Sequence, residues 1–189
     1  MKTKTRNTIL AAAISFGVVL VGVTVYSATT NILVEGTIPD SQMFDGPAKV
    51  IVRTLTIKPG EEVAWHYHPG HAFNVVKSGT LTIEDGCGRV QTLTPGQGFE
   101  AIDDRVHRPQ NLGNTDVVVY DTFILQDGKP TTTNLPERRC GPPNEVEECK
   151  DSGWRKFNHP QTFINQSQCV NFVRHRPRNV IPGPKDPLN

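Results

Sequence analysis

The 189-residue chain predicts an all-β sandwich or barrel, and three observations carry that prediction. Short runs rich in β-branched residues recur between residues 48 and 126. Turn dipeptides interrupt them at Pro59-Gly60, Pro69-Gly70, Asp85-Gly86 and Pro95-Gly96. No helix start signal with a periodic run behind it occurs before residue 130, which argues against an α/β enzyme.

Taken in order, residues 28–47 carry few periodic signals and read as a connector. AKVIVRTLTI, beginning at Ala48, is the first strand and stops at Pro59-Gly60. EEVAWHYH runs to Pro69-Gly70, and AFNVV to Lys77-Ser78-Gly79. TLTIE alternates and ends at Asp85-Gly86, the strongest hairpin signal in the chain. RVQTLT leads to Pro95-Gly96, GFEAI and VHRPQ follow, and TDVVVYDTFIL is a last long strand. These runs make one domain over residues 48–128. Beyond Gly128, Pro, Thr, Asn and charged residues dominate, and three of the four cysteines lie there. This region divides into a linker at 129–148 with Cys140, a small unit at 149–173 and a tail at 174–189. The tail holds four prolines and reads as disordered.

A net charge of +1 excludes the large single-sign field expected of a nucleic-acid or membrane-surface binder. At the N-terminus, Lys2, Lys4 and Arg6 precede an apolar run from Ile9 to Tyr26. Residues 1–27 therefore read as a signal peptide cleaved after Ser27, or as an uncleaved N-terminal membrane anchor. Either reading places residues 28–189 outside the cytoplasm, where disulfides persist.

Chemistry concentrates in GEEVAWHYHPGHAFNVVKSG, residues 60–79. Alternate strand side chains share a face, so His66 and His68 point the same way. A third strand-borne histidine, His107, lies in GQGFEAIDDRVHRPQN. Buried neutral histidines each need a hydrogen-bond partner, so if the fold brings these three into one cavity, a cation between them is favoured. Glu100, on the strand before His107, is a lesser candidate and reads as solvent-facing.

The spacings Gly60, His66-x-His68, Gly79 and then Gly96, His107, Asn111 resemble the two motifs of the cupin superfamily. The resemblance covers about residues 48–126 and implies a single jelly-roll β-barrel. It also implies one divalent transition metal (Zn, Fe, Mn, Cu or Ni) held by His66, His68 and His107. The family's metal-binding glutamate is replaced here by Ala72, and its second-motif proline and glycine by Ile102 and Asp104. His71, beside Ala72, is an alternative ligand because Pro69-Gly70 interrupts the strand parity. HYHPG and KSGTLTIEDGC are similar to small exported bacterial cupins, and that similarity implies a Cys87–Cys140 disulfide. The segment from Cys149 to Cys169 resembles a short cysteine-bracketed module closed by its own disulfide. A zinc site from these cysteines and His159 is the rival reading, but its spacing fits no common finger. Asn165-Gln166-Ser167 matches a glycosylation sequon.

Three functions stay open at this level: a metal-dependent oxygenase or isomerase, a non-catalytic small-ligand binder, and a scaffold whose C-terminal module recognises a partner. The partner expected of the barrel is a small molecule. Membrane contact is expected only through an uncleaved anchor, and a homodimer is compatible with the sequence.

Overall fold

A computed structural model describes residues 28–176 except 42, 45, 102 and 103. The signal or anchor expectation for 1–27 and most of the expected tail lie outside the described residues. Among the described residues, ten strands form two five-stranded sheets. They are β1 (Thr29–Ile38), β2 (Ala48–Ile57), β3 (His66–Tyr67), β4 (His71–Ser78), β5 (Leu81–Asp85), β6 (Val90–Leu93), β7 (Gly98–Ala101), β8 (His107–Gln110), β9 (Val117–Gln126) and β10 (Thr133–Asn134). The first sheet has the order β1-β2-β9-β4-β7, and the second β10-β3-β8-β5-β6. The architecture is the all-β jelly-roll that the turn spacing and the resemblance predicted.

One expectation needs correction. The stretch 28–47, read as a connector, contains β1, which pairs antiparallel with β2 along its length. Ile32, Leu33, Val34 and Ile38 on it are exposed, and a register shift between Ile32 and Val34 interrupts the pairing. A two-faced exposed strand has no buried side to impose alternation, so its sequence lacked the period-2 signal.

The interior follows from register. In β9, Val117, Val119, Asp121, Phe123 and Leu125 are buried, while the residues between them are less so. Their partners across β2 are Ile57, Leu55, Arg53, Ile51 and Lys49. Leu55, Ile57, Val76, Val117 and Val119 of the first sheet join Leu81, Ile83 and Leu93 of the second in one apolar cluster. At the other end of the first sheet, Ile51, Ala72, Ala101, Phe123 and Leu125 form another. Between these clusters the interior is polar.

The turns that the spacing marked hold the strands to this register. Gly79 has φ 78°, and a Cβ there would stand 2.6 Å from the Asp116 carbonyl oxygen, so both conformation and space require glycine. Asp104, at the second-motif glycine position, takes a left-handed φ of 58°, a region aspartate tolerates better than most residues. Asn111 is fully buried and donates to the carbonyls of Ile57 and Thr115, tying the loop after β8 to β2.

Beyond the barrel, the C-terminal unit contains single turns of 3-10 helix at Val146–Cys149 and Gly153–Lys156 and a helix α1, Gln166–His175. Asn165 caps α1 by accepting from the Gln168 amide at 2.8 Å. Disulfides join Cys87 to Cys140 and Cys149 to Cys169. Among the described residues no helix is long and apolar enough to cross a membrane.

Candidate metal centre

The second sheet brings the motif histidines together. His66 on β3 stands directly opposite His107 on β8, and His68 follows just beyond β3. Ring centroids lie 4.3 Å apart for His66–His107, 4.9 Å for His66–His68 and 5.0 Å for His68–His107. One ring nitrogen from each lies within 4.8 Å of the other two, and all three residues are buried.

Each imidazole is oriented by a backbone carbonyl. Nδ1 of His66 donates to Ala64 at 2.7 Å, Nδ1 of His68 to Thr131 at 2.6 Å, and Nδ1 of His107 to Arg105 at 2.9 Å. A carbonyl oxygen only accepts, so each Nδ1 carries the proton and Nε2 keeps its lone pair. Burial keeps the rings neutral. It pushes His66 well below the usual histidine value, helped by His107 and His68. It lowers His68 to about 3, with His107 adding to the shift, and it lowers His107 as well. Three neutral, oriented imidazoles with inward lone pairs suit a divalent cation.

The residue at the family's glutamate position contributes nothing to this set. Ala72 is fully buried within the apolar cluster of Ile51, Ala101, Phe123 and Leu125. His71 does not join the cluster either. It neighbours Ala72 on β4 and so points to the opposite face. There its ring stacks parallel to Phe73, 6.2 Å away, and lies 6.2 Å from Phe44. Glu100 is exposed on β7, opposite Phe73.

Sequence reasoning missed a second polar group in the same cavity. Arg53, Asp121 and Asn74 stand side by side at one level across β2, β9 and β4, and Phe99 continues the row on β7. All four line a cavity of about 340 Å³ together with His66, His68 and His107. Arg53 Nε donates to Asp121 Oδ2 at 2.9 Å. Burial raises Asp121 to about 6 in spite of the arginine's opposing pull. Asn74 Nδ2 donates to the carbonyls of Ala72 and Phe99, at 3.3 Å each. A signal for this row existed in the sequence. Arg53 falls on the parity of Ile51, Leu55 and Ile57, and Asp121 on that of Val117, Val119 and Phe123. Charged residues at core parity mark either an error in register or a site.

The linker after the barrel also reaches the centre. Thr131 supplies the carbonyl that orients His68, Thr132 and Asn134 line the cavity, and Asn134 on β10 pairs with His66. Residues beyond the last long strand thus complete the wall of the site.

The family model described as "Cupin domain" matches residues 53–123. No curated protein matches the chain. Among solved structures, the chain is similar to an uncharacterized conserved protein with a double-stranded beta-helix domain from Klebsiella pneumoniae. That similarity has 22% identity and TM-score 0.46, and covers 58% of this chain and 85% of that one. A cupin domain from Bordetella pertussis is similar at 22% identity and TM-score 0.44, over 56% of this chain and all of that one. A Bacillus subtilis oxalate decarboxylase is similar at 20% identity and TM-score 0.41, over 46% of this chain and 24% of that one.

Proposed function

With a cupin domain as its barrel, this protein, we propose, binds one divalent transition metal through Nε2 of His66, His68 and His107 and uses it to hold or transform a small molecule. The observation that carries the reading is the shared orientation of the three rings. Each Nδ1 is committed to a carbonyl, so three lone pairs converge with no proton among them. An all-imidazole set accepts zinc, copper, nickel or iron, and a bound metal would supply Lewis acidity at its remaining positions. The cavity beside the histidines gives a small ligand its place, and the resemblance to cupins makes a metal-dependent oxygenase or isomerase the enzyme class to test first.

A non-catalytic small-ligand binder is the second reading. It is favoured by the buried Ala72, which leaves the three-histidine cluster without a carboxylate among the described residues. Two disulfides support a working place in an oxidising compartment outside the cytoplasm.

Metal analysis of protein purified without chelators tests the proposal. The expected content is about one equivalent, falling to about a tenth or less in His66→Ala. A wild-type content below about a tenth of an equivalent overturns it. With metal present, turnover of small acids, diketones or sugars marks an enzyme, and binding without turnover marks a binder.

A further inference from the structure

We infer that the cavity is a binding site for a small carboxylic acid, held by its carboxylate on the terminal nitrogens of Arg53 with its other end toward the three histidines. The inference rests on the proposed metal site only for the far end of the ligand.

The arginine carries the argument. Its side chain is 17% exposed and lines the cavity, yet its one hydrogen bond among the described residues runs through Nε to Asp121. Nη1 and Nη2 therefore present four N–H groups with no acceptor among the described residues. A guanidinium does not lose its proton in proteins, and its paired terminal nitrogens match a carboxylate in a bidentate fork. Phe123 supports the guanidinium from one side, 4.6 Å from its carbon, and packs 5.2 Å from the His68 ring on another. Arginine and histidines are thus neighbours across a single aromatic ring, a span that a compact acid can bridge.

The other groups in the cavity narrow the choice. Glu62 also lines it, but both its carboxylate oxygens are taken by Arg108 and Gln110. Leu55, Leu81, Phe99 and Val119 make the remaining wall apolar. Asp121 Oδ1 and Asn74 Oδ1 donate nothing and accept nothing among the described residues, so each is free to receive a ligand hydroxyl. At about 340 Å³ the space is at the small end of ligand pockets. A short hydroxy acid satisfies all of these groups together, with its carboxylate on Arg53 and its hydroxyl facing the acceptors or the histidines.

Calorimetric titration of cobalt-loaded and metal-free protein with lactate, pyruvate and succinate, each beside its neutral amide, tests the inference. At least one acid is expected to bind about tenfold or more tightly than its amide. Arg53→Gln/Asp121→Asn, which leaves no buried charge unpaired, is expected to abolish that preference while keeping cobalt. Should that variant fail to fold, the nitrogen resonances of Arg53 in labelled wild-type protein decide, because they shift with the acid and not with the amide. Amides that bind as well as their acids, a preference that survives the double substitution, or arginine resonances that stay unmoved would overturn the inference. Acid binding in a protein that takes up no cobalt overturns the metal proposal instead and leaves this one standing.

Discussion

The barrel and the C-terminal unit bury their cores in different ways. In the barrel, two apolar clusters extend over two five-stranded sheets, and a band of histidines, arginine, aspartate and asparagine lies between them. In the C-terminal unit, Phe157, Phe163 and Val173 surround the half-cystines 140, 149 and 169, beside the ten-residue helix α1. The larger core tolerates ionisable groups because apolar contacts above and below hold the register whatever the middle contains. The smaller one has too little apolar surface to stand alone, so covalent links supply what packing lacks. Closing loops of 53 and 20 residues removes denatured-state entropy equivalent to about 4 and about 3 kcal/mol. The two regions meet through the linker. It carries Cys140 to the hairpin at Cys87 and orients His68 through Thr131, while His159 of the C-terminal unit lies 4.9 Å from Tyr67.

Four experiments strain this contrast, beginning with the one expected to do most. Phe123→Ala removes a fully buried ring that touches both apolar packing and the polar band. Urea unfolding should show a loss of about 3–5 kcal/mol, and a cost below about 1 kcal/mol would mean that the clusters act independently of the band.

Next in size is Cys149→Ala/Cys169→Ala, expected to cost about 3 kcal/mol. Limited proteolysis should then cut within residues 146–176 while the barrel resists. Simultaneous loss of both would show one cooperative core where the contrast assumes two.

Acidification of the metal-free protein should have a comparable effect, with its largest part in the barrel and a smaller one from His159 and Glu148 of the C-terminal region, both of which are also shifted downward. Burial lowers His68 to about 3 and lowers His66 and His107 too, so the unfolded chain binds more protons than the folded one below about pH 6.5. Stability is therefore full above that pH and falls as pH drops toward the folded values. His68 alone contributes on the order of 3 kcal/mol between pH 7 and pH 4. Asp121 opposes this in part, because its raised value favours the folded state as pH falls from about 6. A melting temperature flat from pH 7 to pH 4 would contradict the burial of neutral imidazoles.

The smallest effect belongs to Glu100→Gln. That exposed carboxylate lies outside the histidine cluster, so stability should change by less than about 0.5 kcal/mol and metal content should stay the same. A loss of metal would return Glu100 to the site.

Much of the barrel was legible because its signals are local. Strand alternation in AKVIVRTLTI and TDVVVYDTFIL follows from the two-residue period of a half-buried strand, and the turn dipeptides need no distant partner. β1 was not legible, since neither of its faces is buried. His71 illustrates a local ambiguity. Sequence distance placed it beside the vacant glutamate position, but one step along a strand reverses the face, and it packs on Phe73 instead.

By itself, then, the sequence determined the order of the strands, the spacing of His66, His68 and His107, and the placing of the half-cystines, all of which follow from short-range periodicity or from motif spacing. Only the tertiary structure decided that Ala72 seals an apolar cluster where a ligand was expected, and that Arg53 meets Asp121 across 68 positions of chain. It alone put Thr131, from the linker, behind His68. These are consequences of inter-strand register. The pairing of the whole sheet sets that register, and no single stretch of sequence contains it.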